Sequence, residues 1–117
     1  MVPIFLNSAS LLANSVENNL YSKLVAQITK DFELADINLE LPYQVNPKNL
    51  KTILHQKVYH LMMERFMEYL NLLYIIDVPE KTIKQIKATD VVEISNEVSF
   101  LILQREFQKV WYKQKYA

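Results

Sequence analysis

Apolar residues in this chain recur every three or four positions over most of its length, the spacing of helices that bury one face. Val16, Leu20, Leu24, Ile28, Phe32 and Ala35, with Tyr21 beside them, trace one such face. Asn14 and Glu17 have the spacing of a capping box, so Asn14 or Ser15 is expected to open this helix. Residues 1–14 are then a peripheral segment, with room for a turn or short helix over Leu6 to Ala13. From Ile37 to Val45 the pattern alternates, and Pro42 disfavours helix at Leu41. An extended connection laid over the helices is expected there. Asn46-Pro47 restarts the chain, because Asn caps and Pro at the first helical position loses no hydrogen bond. This second long helix is expected to reach about Ile76. Asp77 should cap a short helix that carries Glu80 in its first turn and Ile83 and Ile86 as its buried pair. Thr89 or Asp90, with Glu93, opens a last helix to about Lys115, near 40 Å long at about 1.5 Å per residue.

These elements predict an all-α fold, an up-and-down bundle of three long helices and one short one, in a single domain spanning residues 1–117. Its expected core is Leu20, Leu24, Ile28, Leu54, Leu61, Phe66, Leu73, Ile94, Val98, Leu101 and Ile102. In the second long helix, Leu50, Leu54, Val58 and Leu61 form one stripe. Met62, Phe66, Tyr69, Leu70 and Leu73 form another, so this helix meets two neighbours. The last helix has Val91, Ile94, Val98, Leu101 and Ile102 on one side and Val92, Phe100, Leu103, Phe107, Val110 and Trp111 largely on the other. A helix apolar on both sides is either central or shared with another molecule. An interface through Phe100, Leu103, Phe107, Val110 and Trp111 is expected, with a two-fold homodimer first and another protein second.

Composition narrows the chemistry. Thirteen Lys and Arg balance thirteen Asp and Glu, so the chain lacks the charge excess of a general nucleic-acid binder. There is no Cys, which removes disulfides, thiolate metal sites and cysteine nucleophiles. There is also no Gly, where average usage gives roughly eight. Phosphate loops and dinucleotide-binding turns need Gly for tight turning and close approach of backbone to phosphate, so both are excluded in standard form. Asn is expected at any left-handed cap. The apolar start, Met1 to Leu6, has no positive region before it and is followed by Asn7 and Ser8, unlike a signal peptide. No apolar run has the length of a membrane span, and a cytoplasmic location is expected.

Candidate chemistry is sparse. His60, Glu64 and Glu68 share a stripe of the second long helix and are the one candidate set of metal ligands, although paired-helix di-iron sites use a Glu-x-x-His pattern that this chain lacks. Solvated charge is the simpler reading. Glu93 and Glu97 form a second carboxylate pair without a visible cleft. Arg65 is expected to pair with Glu68 or with an acid of another helix. Lys109, Lys113 and Lys115, interleaved with Trp111, Tyr112 and Tyr116, either meet an anionic surface or complement the helix dipole. No nucleophile motif, catalytic residue or cofactor signature is present.

The strings Glu68 to Val78 and Ser99 to Trp111 resemble a family of short, uncharacterised, all-helical bacterial proteins with no assigned activity. The resemblance covers about Val16 to the C-terminus and implies a helical domain without naming a reaction. Three function classes follow, in order: a non-enzymatic protein–protein interaction or scaffolding module, a metal-binding helical enzyme, and a nucleic-acid-associated helper.

Overall fold

The computed structural model describes residues 1–116. Among them every regular element is a helix: α1 (Ser8–Glu17), α2 (Tyr21–Leu34), α3 (Pro47–Glu64), α4 (Phe66–Ile76), α5 (Glu80–Lys84) and α6 (Val91–Tyr116). The all-helical expectation holds, but six helices replace the expected four, because two of the anticipated long helices are divided differently.

The first division lies upstream. Asn7, not Asn14, starts the opening helix, and its side chain accepts a hydrogen bond from the Ser10 amide at 2.8 Å. Asn14 and Glu17 therefore lie inside α1. Far from peripheral, α1 buries Leu11, Leu12 and Ser15, and only residues 1–7 run ahead of it. It ends where Asn19 turns left-handed, with the Leu20 amide bonded to Ser15 O at 2.8 Å and the Asn19 amide to Val16 O at 3.2 Å. That pair of bonds is a Schellman closure. The same closure ends α2 at Asp36 and Ile37, and α4 at Asp77 and Val78. In each case the residue after the left-handed one is a buried apolar side chain, Leu20, Ile37 or Val78. Asn was expected at these positions and occupies one; Asp occupies the other two, since its short side chain also tolerates the left-handed region. Asp77 thus closes α4 and does not cap α5.

The second division falls at Arg65 (φ −137°, ψ 56°), between α3 and α4. No Pro or Gly causes it. The α3 stripe of Leu50, Leu54, Val58 and Leu61 would continue onto Arg65 and Glu68, whereas the buried α4 residues are Tyr69, Leu72, Leu73 and Ile76. A break resets the phase so that both stripes reach the core. It also turns Phe66 outward, 54% exposed, so this residue leaves the core it was expected to join. The connection between α2 and α3 is non-helical, as anticipated, but is not extended throughout, since it turns left-handed at Glu40 and Gln44; it buries Ile37, Leu39 and Val45, while Tyr21 donates to Val45 O at 2.6 Å. Asp90 caps α6 through the Val92 amide at 2.6 Å.

α6 touches all five other helices within a globule of 36 × 29 × 24 Å. Its buried residues are Ser95, Val98, Ser99, Ile102, Leu103, Glu106, Phe107 and Val110, a single broad face whose midline, at 100° per residue, is Ser95, Ser99 and Glu106. The two stripes seen in the sequence are the flanks of this one face. The hydroxyls of Ser95 and Ser99 bond back to their own helix, at Val92 O (2.9 Å) and Ser95 O (2.7 Å). They therefore place small, satisfied side chains where neighbouring helices come close.

Glu40 and Gln44 also hold left-handed backbone, at φ 54° and 53°. For residues other than Gly, Asn and Asp this costs about 1–2 kcal/mol, more than the entropy that Gly adds to the unfolded chain. Gln44→Gly should therefore raise stability by about 0.5–1 kcal/mol in urea denaturation, and a lowered midpoint would contradict the left-handed assignment.

Candidate functional site

The two site expectations from the sequence fare differently from the sites the fold creates. His60 Nδ1 lies 3.5 Å from Glu64 Oε2, both exposed, but the break at Arg65 interrupts the spacing that would bring Glu68 alongside. Glu68 is instead hydrogen-bonded by Arg65 Nε at 3.0 Å, with a second contact from Nη2. Among the described residues no three His, Asp or Glu side chains are grouped to hold a metal ion. His55 sits with Nε2 2.8 Å from Ser95 Oγ. Since that hydroxyl donates to Val92 O, the geometry fits a structural donor from the imidazole.

Of the α6 residues expected to form an interface, three pack inside the protomer. Leu103, Phe107 and Val110 are interior, at 0%, 1% and 4% exposure, and a partner could reach them only by unpacking the protomer. Phe5 meets Phe107 edge-on at 5.2 Å and Trp111 stacks on it at 6.1 Å; Phe100 and Trp111 are half-buried. Removing Phe107 should cost about 3–5 kcal/mol in chemical denaturation, as aromatic truncations in cores do.

The most unusual chemistry in the molecule lies where α6 crosses α2. Glu106 is completely buried and Asp31 nearly so. Lys109 Nζ donates to Asp31 Oδ2 at 2.7 Å, and Gln27 Nε2 lies 3.2 Å from each oxygen of Asp31. Lys113 Nζ donates to Gln27 Oε1 at 2.7 Å. Lys109 Nζ is also 3.2 Å from Glu106 Oε1, within attraction distance but outside hydrogen-bond geometry, so an ionised Glu106 would have no hydrogen-bond partner. Burial and then the Asp31 carboxylate push the Glu106 carboxyl up to about 9, against the pull of the Lys109 ammonium. Carrying a proton, Glu106 becomes a donor toward Asp31. Asp31 moves the other way: burial alone would raise it, but hydrogen bonds from Glu106, Lys109 and Gln27, together with the Lys109 charge, hold it below the usual carboxylate range. Lys109 and Lys113, expected to meet an anionic surface or complement the helix dipole, thus carry α6 onto α2.

Two surface grooves remain, of which the first borders this cluster and shares Gln27 and Lys113 with it. Between α2 and α6 is a groove of about 440 Å³ lined by Lys23, Lys30, Lys113, Gln27 and Gln114, with Ala26 and Val110 as its apolar part. Along α4 and α5 runs a larger groove of about 610 Å³, lined mainly by Met62, Phe66, Tyr69, Leu70, Leu73 and Tyr74. Beside it Met63, Phe66, Met67, Leu70 and Tyr74 are 55%, 54%, 77%, 43% and 83% exposed. No helix among the described residues is long and apolar enough to cross a membrane.

Glu106 sets a pH dependence of stability. Its carboxyl binds a proton more tightly in the folded chain than at its ordinary value of 4.5, so between that value and about 9 the native state holds the extra proton. Stability is therefore fully present below about pH 4.5 and declines as pH rises toward 9, by at most about 1.4 kcal/mol per pH unit for one proton. Asp31 acts oppositely and weakens the fold only below its ordinary range. Glu106→Gln should flatten the decline between pH 5 and 9 in denaturation series, and an unchanged slope would remove Glu106 as its source. Compared with family models, curated proteins and solved structures, the chain matches none, so its function has to follow from its own geometry.

Proposed function

We propose that this chain is a non-enzymatic protein–protein interaction module and that α4, with the end of α3, is the face it presents. One observation carries this reading: four large apolar side chains of α4, Phe66, Met67, Leu70 and Tyr74, lie exposed at helical spacing along the 610 Å³ groove, with Met63 exposed on α3 just ahead of the break. Scattered exposed apolar residues are ordinary, but a continuous stripe on one helix is the mark of a contact surface. Met and aromatic side chains are also the types enriched at interface cores.

A second copy of the chain is the partner that this face fits best. With side chains of on the order of 200 Å² each, the exposures above leave roughly 600 Å² per protomer, or about 1,200 Å² for a symmetric pair, the lower edge of standard interfaces. A two-fold axis asks only that the patch complement itself. Here a stripe of flexible methionines and flat rings supports that fit, since Met adapts to irregular gaps. The association is expected to be of moderate strength, because area of this size meets the entropy of association with little to spare.

Sedimentation or light scattering at 10–100 µM tests this. The expected mass is about twice the 13.8 kDa protomer, falling to one protomer in the double variant Leu70→Glu, Tyr74→Lys with unchanged helical circular dichroism. A strictly monomeric native chain would end the homodimer. A photo-crosslinker at Tyr74 then separates the broader reading from its failure: without an adduct to any protein in cells, α4 is not an interaction face.

A further inference from the structure

We infer that the groove between α2 and α6 binds a small molecule bearing a phosphate group, at a site separate from the α4 face. Lys23, Lys30 and Lys113 all line this one groove, and among the described residues none of the three has a carboxylate within ion-pair distance. Two of them are held in place by neutral groups: Lys113 Nζ donates to Gln27 Oε1 at 2.7 Å, and Lys23 Nζ donates to Gln114 Oε1. An amide oxygen fixes an ammonium without cancelling its charge. Three like charges around one concavity repel one another, and the arrangement is relieved by an anion that they share.

The deeper layer keeps this surplus intact. The buried carboxylates of this crossing are those of Asp31 and Glu106; Asp31 is bonded to Lys109 at 2.7 Å, and Glu106 Oε1 lies 3.2 Å from the same ammonium, with no hydrogen-bond partner for either of its oxygens. Neither is free to neutralise the lysines in front of them. Gln27 links the layers, since its oxygen accepts a hydrogen bond from Lys113 Nζ while its nitrogen faces Asp31. A bound anion would therefore meet two ammonium groups already held in place, with Lys30 free to turn toward it.

The size and lining narrow the ligand further. About 440 Å³ falls in the range of small-molecule sites, about 300–1,000 Å³, and exceeds what an inorganic ion alone needs. Ala26 and Val110 give it an apolar wall. Three ammonium groups suit a dianion better than a carboxylate, because each phosphate offers three acceptor oxygens and up to two charges. A phosphomonoester with a compact apolar body meets these conditions, and the concave shape suits a single molecule better than a polymer backbone.

Calorimetric titration of the full chain with inorganic pyrophosphate, at constant ionic strength in chloride buffer, tests the site. Saturable binding with a sub-millimolar Kd is expected, together with a rise in melting temperature, since a ligand bound to the native state alone stabilises it. Lys30→Gln, at an exposed residue that bonds nothing in the fold, should weaken binding about fivefold to tenfold. Ala26→Glu should abolish it with helical content unchanged. Lys48→Gln, on α3, should leave it as it was. The absence of saturable heat at 5 mM pyrophosphate overturns the proposal, and so does equal weakening by Lys48→Gln, which would mark diffuse charge attraction. Binding confined to vesicles containing phosphatidic acid, with none to pyrophosphate, also overturns it in favour of a lipid headgroup.

Discussion

The arrangement of this molecule depends on burying one face of α6 against five other helices at once. A helix in that position cannot be apolar throughout, because its neighbours need room to approach and its midline needs to pack without large side chains. Ser95 and Ser99 meet that need at one end, with hydroxyls turned back onto their own helix. At the other end the same line carries Glu106, which is too long to be a spacer. There α6 crosses α2 through a polar layer in place of an apolar one. Breaking such a layer by removing one charged partner is costlier than never having built it, since the remaining charge is left buried. The layer therefore fixes the register of α6 on α2 more sharply than interchangeable apolar contacts would.

Much of this was legible from residue spacing. The caps at Asn46 and Asp90, the non-helical connection over Ile37 to Val45, and most of the core follow from signals with direct physical causes. The breaks were harder. At Arg65 no helix breaker is present, and the clue is that the apolar stripe of α3 would run onto Arg65 and Glu68. The sequence shows this as a rotated second stripe, which a single helix meeting two neighbours explains equally well. At Asn18-Asn19 the clue was a pair of residues that tolerate left-handed backbone followed by apolar Leu20; the capping-box spacing three residues earlier outweighed it.

Glu106 was missed for a different reason. Sorting α6 by apolar residues alone yields two stripes on its two sides, and the polar residues between them drop out. Projecting both stripes on one wheel places Ser95, Ser99 and Glu106 at the centre of their union, where a carboxylate is conspicuous. The lysines facing it were read as ornaments of a helix terminus because their partners, Asp31 and Gln27, lie on another helix. Pairing across that sequence distance leaves no periodic trace.

The lack of glycine has an energetic meaning that is visible only when both ends of the folding reaction are compared. A chain of this length with average composition would hold roughly eight glycines, and each one replaced removes about 0.4–1 kcal/mol of backbone freedom from the unfolded ensemble, roughly 3–8 kcal/mol altogether. Of the five left-handed residues, Asn19, Asp36 and Asp77 tolerate that region, so only Glu40 and Gln44 raise the native state by about 1–2 kcal/mol each, roughly 2–4 kcal/mol together. The first quantity matches or exceeds the second. A stiff unfolded chain thus offsets a native backbone held against its preference at two places, and the net stability is left to the packing around α6.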